Sequence, residues 1–474
     1  MTNIDTAALP GPEWLPGLPP DYDPENRLDG ATGAGATFRV PQLTELDAAV
    51  VADAVRTAAL AARGTHRVAD VVTGVARAAR RLADSSDPVG RQAIEAVRAA
   101  TGCGPGAAGD ILRRNAAGWT GPVLSALIRS ELGELAVLDE PRPDADRPGR
   151  RRRAAGPPIL HLVLAGNVPG VAVTAVIRAL VVRSGVLCKL PASEPWLVGL
   201  FARALNDTEP ALAATIAATW WPTDTPGPVA HEWTKRSNQV VVYGGAEAAR
   251  AIRHQTPVTV SLLEYGPRTG AVIMGPHVTD DELSGLARDT CAYGQAGCVS
   301  PRLVYVLGDR GTSPADAVVE RLGRALSATA GEQVAFLTDA EAVAVRAARA
   351  RCQFGEVEGL RASGPDDLSW TILYHPVAGA RSEALPRVLW VYALPAVAEL
   401  RRFRGVLEGR LQALGLAGLS PEDRLAAEQL AVEFGISRVT RLGAMAWPPP
   451  DWRHDGRHQL LPLVRWTEFE TTDG

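Results

Sequence analysis

The sequence predicts an α/β protein built on parallel sheets, and three observations carry that expectation. Apolar runs of strand length alternate with amphipathic stretches of helix length from Ile159 to Glu264, and again from Gly270 to Ala393. The unit Ile159–Ala165, Gly170–Arg183, Val186–Leu190 has the length of a strand, a right-handed crossover helix and a second, parallel strand. Its strands are apolar at nearly every position, as strands covered on both faces are.

Taken in order, residues 1–35 are rich in proline and glycine and read as a loosely ordered lead-in. Val50–Ala62, Val68–Leu82, Pro88–Thr101 and Gly121–Leu138 return Ala, Leu and Val at three- and four-residue steps, which predicts a helical layer between about Thr44 and Asp139. Glu140 to Pro158 then sets prolines around Arg150-Arg151-Arg152-Arg153, a solvated loop or hairpin by default and otherwise an anion contact. After the first crossover come strand Gln239–Tyr243, the Gly244-Gly245 turn, helix Ala246–His254 and strand Val258–Leu263, ending at Glu264. A second α/β unit has strand Gly270–Met274, helix Asp280–Tyr293, a loop around Cys298 and strand Arg302–Leu307. It continues with helices Ala315–Ala328 and Asp339–Arg349 and strand Val388–Ala393. A helix beyond Pro421, the segment Gly435–Gly443, the Pro448-Pro449-Pro450 turn and an apolar tail, Leu460–Trp466, follow. There is no internal repeat.

Bulk properties exclude several classes. With 474 residues, 46% hydrophobic and 22% charged, the chain can bury a large core in two or three domains. A net charge of -4 argues against nucleic acid as a partner. The five cysteines, Cys103, Cys188, Cys291, Cys298 and Cys352, form no CxxC pair, so neither a disulfide framework nor a zinc knuckle is expected and a reducing cytoplasm fits. The eight histidines show no metal-ligand spacing, so no metal is expected, and His161 reads as a satisfied core residue. Met1-Thr2-Asn3-Ile4-Asp5 opens without a basic n-region and apolar h-region, so no export signal is expected, and the apolar stretch Val168–Val182 is broken by Arg178 and too short to span a bilayer. Only two lysines, Lys189 and Lys235, stand against 47 arginines, so a surviving lysine is a candidate for chemical need. Lys235, beside Arg236, reads as surface.

Asn167-Val168-Pro169-Gly170, Glu264-Tyr265-Gly266-Pro267 and Cys298 occur in that order. A thiol, a carboxylate and a loop amide are what thioester chemistry with hydride transfer needs. In parallel sheets ligands bind at the carboxyl ends of strands, where Asn167, Lys189, Gly244 and Glu264 would emerge. The segments Ala165-Gly166-Asn167-Val168-Pro169-Gly170, Leu187-Cys188-Lys189, Val240–Gly245, Glu264-Tyr265-Gly266 and Gln295-Ala296-Gly297-Cys298-Val299-Ser300-Pro301 together resemble the aldehyde dehydrogenase superfamily. Within it they resemble the acyl-CoA reductases of the bacterial luminescence type. The likeness runs over roughly Ile159 to Leu307, with weaker similarity through Gly118–Asp139 and Arg438–Gly456.

That resemblance implies an aldehyde-dehydrogenase-like fold. Residues 1–263 would be a Rossmann-type nucleotide-binding domain with its helical layer, 264–445 a catalytic thiol domain, and 140–158 with 457–474 a β oligomerisation arm. Cys298 would be the nucleophile, the alternative being an inert buried thiol, which is the reading for the other four cysteines. Asn167 would be the oxyanion donor, or else simply a turn residue before Pro169. Glu264 matches the superfamily's general base, with proton management at Cys298 or at the thiohemiacetal as one reading and a structural ion pair, perhaps with Arg268, as the other. Lys189 matches the lysine that contacts the adenosine ribose, and Ser193, Gly244, Gly245 and Gly266 complete the cofactor residues. Ala192 stands where NAD-preferring relatives often have Glu, which favours NADPH and leaves NADH possible. The Glu-x-Phe-Gly-Pro segment of oxidising relatives is missing; the best candidate region, Pro386–Leu394, has no Glu. Trp220-Trp221 reads as packing or a channel wall.

The resulting expectation is NAD(P)H-dependent reduction of an acyl thioester, acyl-CoA or carrier-bound and fatty by resemblance, to the aldehyde. An acyl-protein synthetase is the implied partner, and a homo-oligomer the implied assembly. The alternatives are an aldehyde dehydrogenase running toward the acid and a non-catalytic scaffold for an acyl-transferring partner.

Overall fold

A computed structural model of the chain describes residues 9–18, 26–224, 227–308, 314–330, 337–354 and 359–470. The chain divides into two compact units, Met1–Gly266 with His458–Gly474, and Pro267–Arg457. Of the expected lead-in, residues 1–8 and 19–25 lie outside the described residues. The remainder is more regular than proline and glycine content suggested, because β1 (Arg27–Ala31) and β2 (Thr37–Pro41) pair as an antiparallel hairpin. Alternation along β2 buries Phe38 and Val40, and the Phe38 ring meets Trp196 and Trp220 edge-on.

The helical layer follows in α1 (Glu45–Thr65), α2 (Val68–Ala83), α3 (Pro88–Thr101), α4 (Pro105–Ala117) and α5 (Gly121–Leu132). Thr44 and Asp47 close a capping box that fixes the start of α1. In α2, Val68, Val71, Val72, Val75, Ala78, Ala79 and Leu82 make one buried stripe at helical spacing. The α4 helix buries only Ala108, Gly109 and Leu112, a stripe too thin to read from the sequence. The last helix stops at Gly133 (φ +93) instead of running to Leu138, and Leu135–Leu138 is a separate 3-10 turn.

After β3 (Arg142–Pro143) and β4 (Arg150–Ala155) comes the first parallel sheet. Its strands are β5 (Ile159–Val163), β6 (Gly185–Lys189), β7 (Ile216–Thr219), β8 (Gln239–Tyr243) and β9 (Ser261–Tyr265), in the spatial order β7-β6-β5-β8-β9. The connections hold α6 (Val171–Val181), α7 (Leu197–Asn206), a short α8 (Pro210–Ala213), α9 (Pro228–Arg236) and α10 (Ala246–Gln255). The sheet grows outward from β5 in one direction and then from β8 in the other, so the reversal falls between these two strands, where such sheets bind ligands. The strand expected at Val258–Leu263 is shifted: Val258 is fully exposed, and Glu264 lies inside β9 instead of beyond its end.

His161, in β5, is a core residue, but not a fully satisfied one. Nδ1 lies 3.3 Å from Thr234 Oγ1, the ring sits between Trp221 and Trp233, and Nε2 has no hydrogen-bond partner among the described residues. Burial, with Lys189 nearby, pushes its pKa down to about 3, so the ring is neutral at ordinary pH. Trp220 and Trp221 are both buried in packing contacts. Lys235 is the exposed partner of an ion pair with Glu232.

The second unit is built on a sheet from β10 (Thr269–Met274), β11 (Pro301–Leu307), β12 (Arg361–Ser363), β13 (Thr371–His375), β14 (Val388–Leu394), β15 (Leu411–Ala417) and β16 (Arg438–Arg441). The order is β12-β13-β14-β11-β10-β15-β16, parallel except for β12 against β13. Helices α11 (Asp280–Cys291), α12 (Pro314–Ala330), α13 (Asp339–Gln353), the short α14 (Arg404–Leu407) and α15 (Pro421–Glu433) connect the strands. Alternation along β10 sets Val272 and Met274 in one apolar cluster with residues of α11 and α12, and Ala271 and Ile273 in another with residues of α13 and α15. The region expected to replace the missing Glu-x-Phe-Gly-Pro segment is β14, which is wholly buried in this sheet.

The arginine run is a strand, with the hairpin alternative realised and a third strand added. β17 (Arg465–Glu470) lies antiparallel to β4, whose other edge takes β3. Glu468 and Glu470 pair with Arg147 and Arg150, and Arg152 stacks 4.8 Å over the Trp466 ring. The cationic row is therefore countered from within the chain.

Candidate active site

In the first unit, a cavity of about 430 Å³ opens at the carboxyl ends of β5, β6 and β8, lined among others by Ala165, Lys189, Ala192, Ser193, Trp221 and Gly244. Lys189 ends β6, is buried, and donates from Nζ to Thr223 Oγ1 at 3.0 Å. Burial pulls its pKa down to about 8, because the ammonium has lost water and its hydrogen-bond partner there is a neutral hydroxyl. Gly245 caps α10 in an extended conformation; a Cβ there would meet nothing, and one on Gly244 would only touch Ala248. The turn is thus open above its backbone, as a site that admits a bulky anion must be. Gly266 is similarly uncrowded.

The Asn167 loop is shaped by close packing. A Cβ on Gly166 would fall 2.5 Å from Ser193 Oγ and 2.7 Å from Pro191 Cγ, so only glycine lets the loops after β5 and β6 touch. Gly170 adopts φ +90 with the Asn115 side chain against it, and Asn115 Nδ2 donates to Pro169 O at 3.1 Å. Asn167 itself is exposed on this braced turn. Glu264, in the same unit, accepts from Arg253 on α10. Arg253 is its ion-pair partner within that unit, and Arg268 of the second unit pairs with Asp455.

In the second unit, the backbone before Cys298 is left-handed at three successive residues, Tyr293 (φ 54), Gly294 (φ 60) and Gln295 (φ 68). Two of them carry side chains that disfavour this region, so the surroundings must hold them. Gln295 supplies the hold. Fully buried, it donates from Nε2 to Pro301 O (2.6 Å) and Val388 O (3.0 Å) and accepts from Val388 N–H (2.9 Å). Arg302 donates to its carbonyl at 2.9 Å. The thiol loop is thereby tied to β14.

Cys298 is the one cysteine of the five that is not fully buried. Its apolar surroundings and the nearby Asp455 push the thiol up to about 12, so it stands protonated near neutrality. Sγ lies 3.8 Å from His454 Nε2. The His454 ring lies tilted by 36° against Trp452 with ring centroids 5.1 Å apart. Asp455 is buried, pairs with Arg268 Nε at 3.3 Å, and accepts at Oδ1 from Gln412 Nε2 at 2.6 Å with the Gln412 amide turned to satisfy both ends. In that orientation Gln412 also accepts from Asp455 N–H at 2.9 Å. Asp289 of α11, wholly buried, takes the Gly443 (2.6 Å) and Ala446 (3.1 Å) N–H groups, which fixes the loop leading toward this segment.

Lys189, Ser193 and Gly244 thus share one cavity. Asn167, Gly245, Gly266 and Glu264 lie elsewhere in the same unit, and Cys298 belongs to the other. Sequence reasoning missed His454, Asp455 and Gln412. The one available signal was Asp455-Gly456, a dipeptide that favours left-handed backbone and adopts it here (φ 54 and 71), turning the chain directly after a histidine.

Comparison with known proteins adds the family. The model of the acyl-CoA reductase (LuxC) family matches residues 64–466. The long-chain acyl-protein thioester reductase of Photobacterium phosphoreum is 24% identical over 371 residues, covering 75% of this chain and 72% of that one. The enzyme of the same name from Vibrio harveyi is 26% identical over 357 residues, covering 73% and 70%. Among solved structures, lactaldehyde dehydrogenase from Escherichia coli superposes with a TM-score of 0.74 at 14% identity, covering 97% of this chain and 98% of that one. Aldehyde dehydrogenase C from Pseudomonas syringae, a C291A mutant with NAD+ and octanal, gives 0.71 at 14%, covering 97% and 96%. At such identities the likeness is one of fold: the chain has the aldehyde dehydrogenase fold.

Proposed function

Because the chain belongs to the acyl-CoA reductase (LuxC) family, we propose that it reduces an acyl thioester to the aldehyde through an acyl group held on Cys298. The observation that carries this reading is the Cys298 loop itself: the only partly open thiol, clamped by Gln295, with an imidazole within reach of its sulfur. Thiol exchange between two thioesters is nearly balanced in energy, so the acyl-enzyme keeps the reactivity of its donor. The names of the relatives favour a long acyl chain presented on a protein, with an acyl-protein synthetase as the supplying partner and acyl-CoA as the soluble equivalent.

The first unit's cavity fits a nicotinamide dinucleotide. When bound, that cofactor supplies the hydride. Lys189 would hold a ribose hydroxyl or phosphate, Ser193 and the open turn at Gly244 and Gly245 would flank the phosphates, and Gly266 leaves room nearby. A desolvated ammonium at Lys189, with Ala192 in place of a carboxylate among the lining residues, favours NADPH over NADH. In the same proposal Asn167 donates to the oxyanion and Glu264 serves proton transfer, the Arg253 pair giving weight to a structural role for the latter. The free edges of the β17-β4-β3 arm would pair with another copy of the chain, making a homo-oligomer.

The test is aldehyde release from a panel of acyl-CoAs with NADPH and NADH, alongside trapping of radiolabelled acyl-enzyme without nucleotide. Cys298→Ala should abolish both label and aldehyde while leaving nucleotide binding intact. Acid formation from aldehyde without CoA, and no aldehyde from any acyl-CoA, would replace this reading with the oxidising one. Absence of any labelled protein would leave the scaffold reading.

A further inference from the structure

We propose that His454 is the catalytic base and acid of the thiol, exchanging the Cys298 proton in both halves of the reaction. The proposal rests on the acyl thioester reading above and adds a residue to it.

Three features of the second unit point to this role. His454 Nε2 is 3.8 Å from Sγ, within the reach of a sulfur hydrogen bond. Its position is over-determined: Trp452 packs against the ring at a tilt, and the chain reverses immediately afterwards through left-handed Asp455 and Gly456. The reversal is pinned from two sides by Gln412 and Arg268, and Arg268 is itself anchored on the Gly409 carbonyl. Finally, Asp455 Oδ1 lies 4.0 Å from Nε2, so a carboxylate stands ready to stabilise an imidazolium. The charged groups facing this pair are Asp455 and Arg268, with Arg457 acting on Asp455. Arg268 tempers the Asp455 charge without removing it.

A need for such a base follows from the thiol's surroundings. Burial and the Asp455 charge keep the sulfur protonated, so attack by a bare thiolate would draw on a very small population.

The proton count closes. As Sγ forms its bond to the acyl carbon, the Sγ proton passes to His454 Nε2. The bond from the acyl carbon to the donor sulfur then breaks, and the imidazolium returns the proton to the departing thiolate. After hydride from the reduced nicotinamide nucleotide has reached the acyl carbon, the hemithioacetal oxyanion re-forms a carbonyl and breaks its bond to Sγ. As the aldehyde leaves, His454, neutral after the first half, takes up one proton from solvent, the single proton that the reduction consumes, and passes it to the Cys298 thiolate, which restores the thiol and the neutral imidazole.

The test uses the full chain. Acylation by an acyl-CoA, followed in single turnover without nucleotide, should slow by about 10²–10⁴ in His454→Gln, with nucleotide affinity unchanged and partial rescue of His454→Ala by added imidazole. Should either variant fold poorly, the unmodified protein still decides: alkylation of Cys298 by iodoacetamide, read by peptide mass, should rise through an inflection far below the thiol's own raised range. Acylation of His454→Gln at the parent rate, or alkylation following only a high thiol inflection, overturns the assignment. Acylation that persists in Cys298→Ala would instead sink the acyl thioester reading itself, so the two failures are distinguishable.

Discussion

The ends of the two parallel sheets carry ionisable groups in opposite states of compensation. In the first unit Lys189 is stripped of water and bonded to the neutral hydroxyl of Thr223, beside a cavity whose glycine turn stands open. In the second, Cys298, His454, Asp455 and Arg268 already answer one another's charge. An uncompensated buried cation gains most from an arriving anion, whereas a balanced network can pass a proton internally at little cost. The contrast teaches that binding and proton transfer call for different electrostatics; on the proposed roles the two would fall on separate sheets.

The hardest blow to that division would come from Asn167, which sits on the binding unit but is proposed to act on rate. Asn167→Ala should lower kcat by about 10²–10³ while nucleotide affinity, read by tryptophan fluorescence, stays put. A change in affinity alone would return the loop to a purely binding role. Lys189→Met sharpens the other side. Loss of one charge-assisted bond should weaken NADPH binding by roughly 10–100-fold, with acylation of Cys298 in the absence of nucleotide untouched. On that assignment the charged form of Lys189 would hold the anion, so affinity should fall as pH rises through about 8. Titration calorimetry across that range should find the slope missing in the Met variant.

The smallest effect concerns His161, the neutral histidine of the first unit, set against His454. Its folded pKa of about 3 lies below the unfolded value near 6.5, so the unfolded chain takes up a proton that the folded one refuses. Stability is therefore full above the unfolded pKa and is lost as pH falls toward 3, by on the order of 1.4 kcal/mol per pH unit. His161→Leu should flatten that acid slope in urea melts; an unchanged slope would show that the acid sensitivity arises elsewhere.

How much of this was legible depended on how local each feature is. The first sheet could be read because β5, α6 and β6 are consecutive, apolar and of standard length, and Lys189 stood out in an arginine-rich chain. Cys298 stood out by its glycine-flanked loop, and it is the one thiol left partly exposed. By contrast β15 is a central, wholly buried strand, yet its sequence, Leu-Gln-Ala-Leu-Gly-Leu-Ala, contains a glycine and a glutamine. Gly415 is required because Leu442 and Met445 press within 2.7 Å of where its Cβ would be, and Gln412 because it holds Asp455. Both needs arise from residues far along the chain. His454 escaped notice for the same reason: 156 residues separate it from the sulfur it faces, and nothing in its neighbours' hydrophobic period marks it.

The clamp made by Gln295 has a bearing on traffic through the enzyme. With its amide bonded on both sides to β14 and its backbone bent into a shape few residues tolerate, the loop bearing the sulfur is a fixed berth and cannot serve as a swinging arm. Whatever brings the acyl group has to do the travelling.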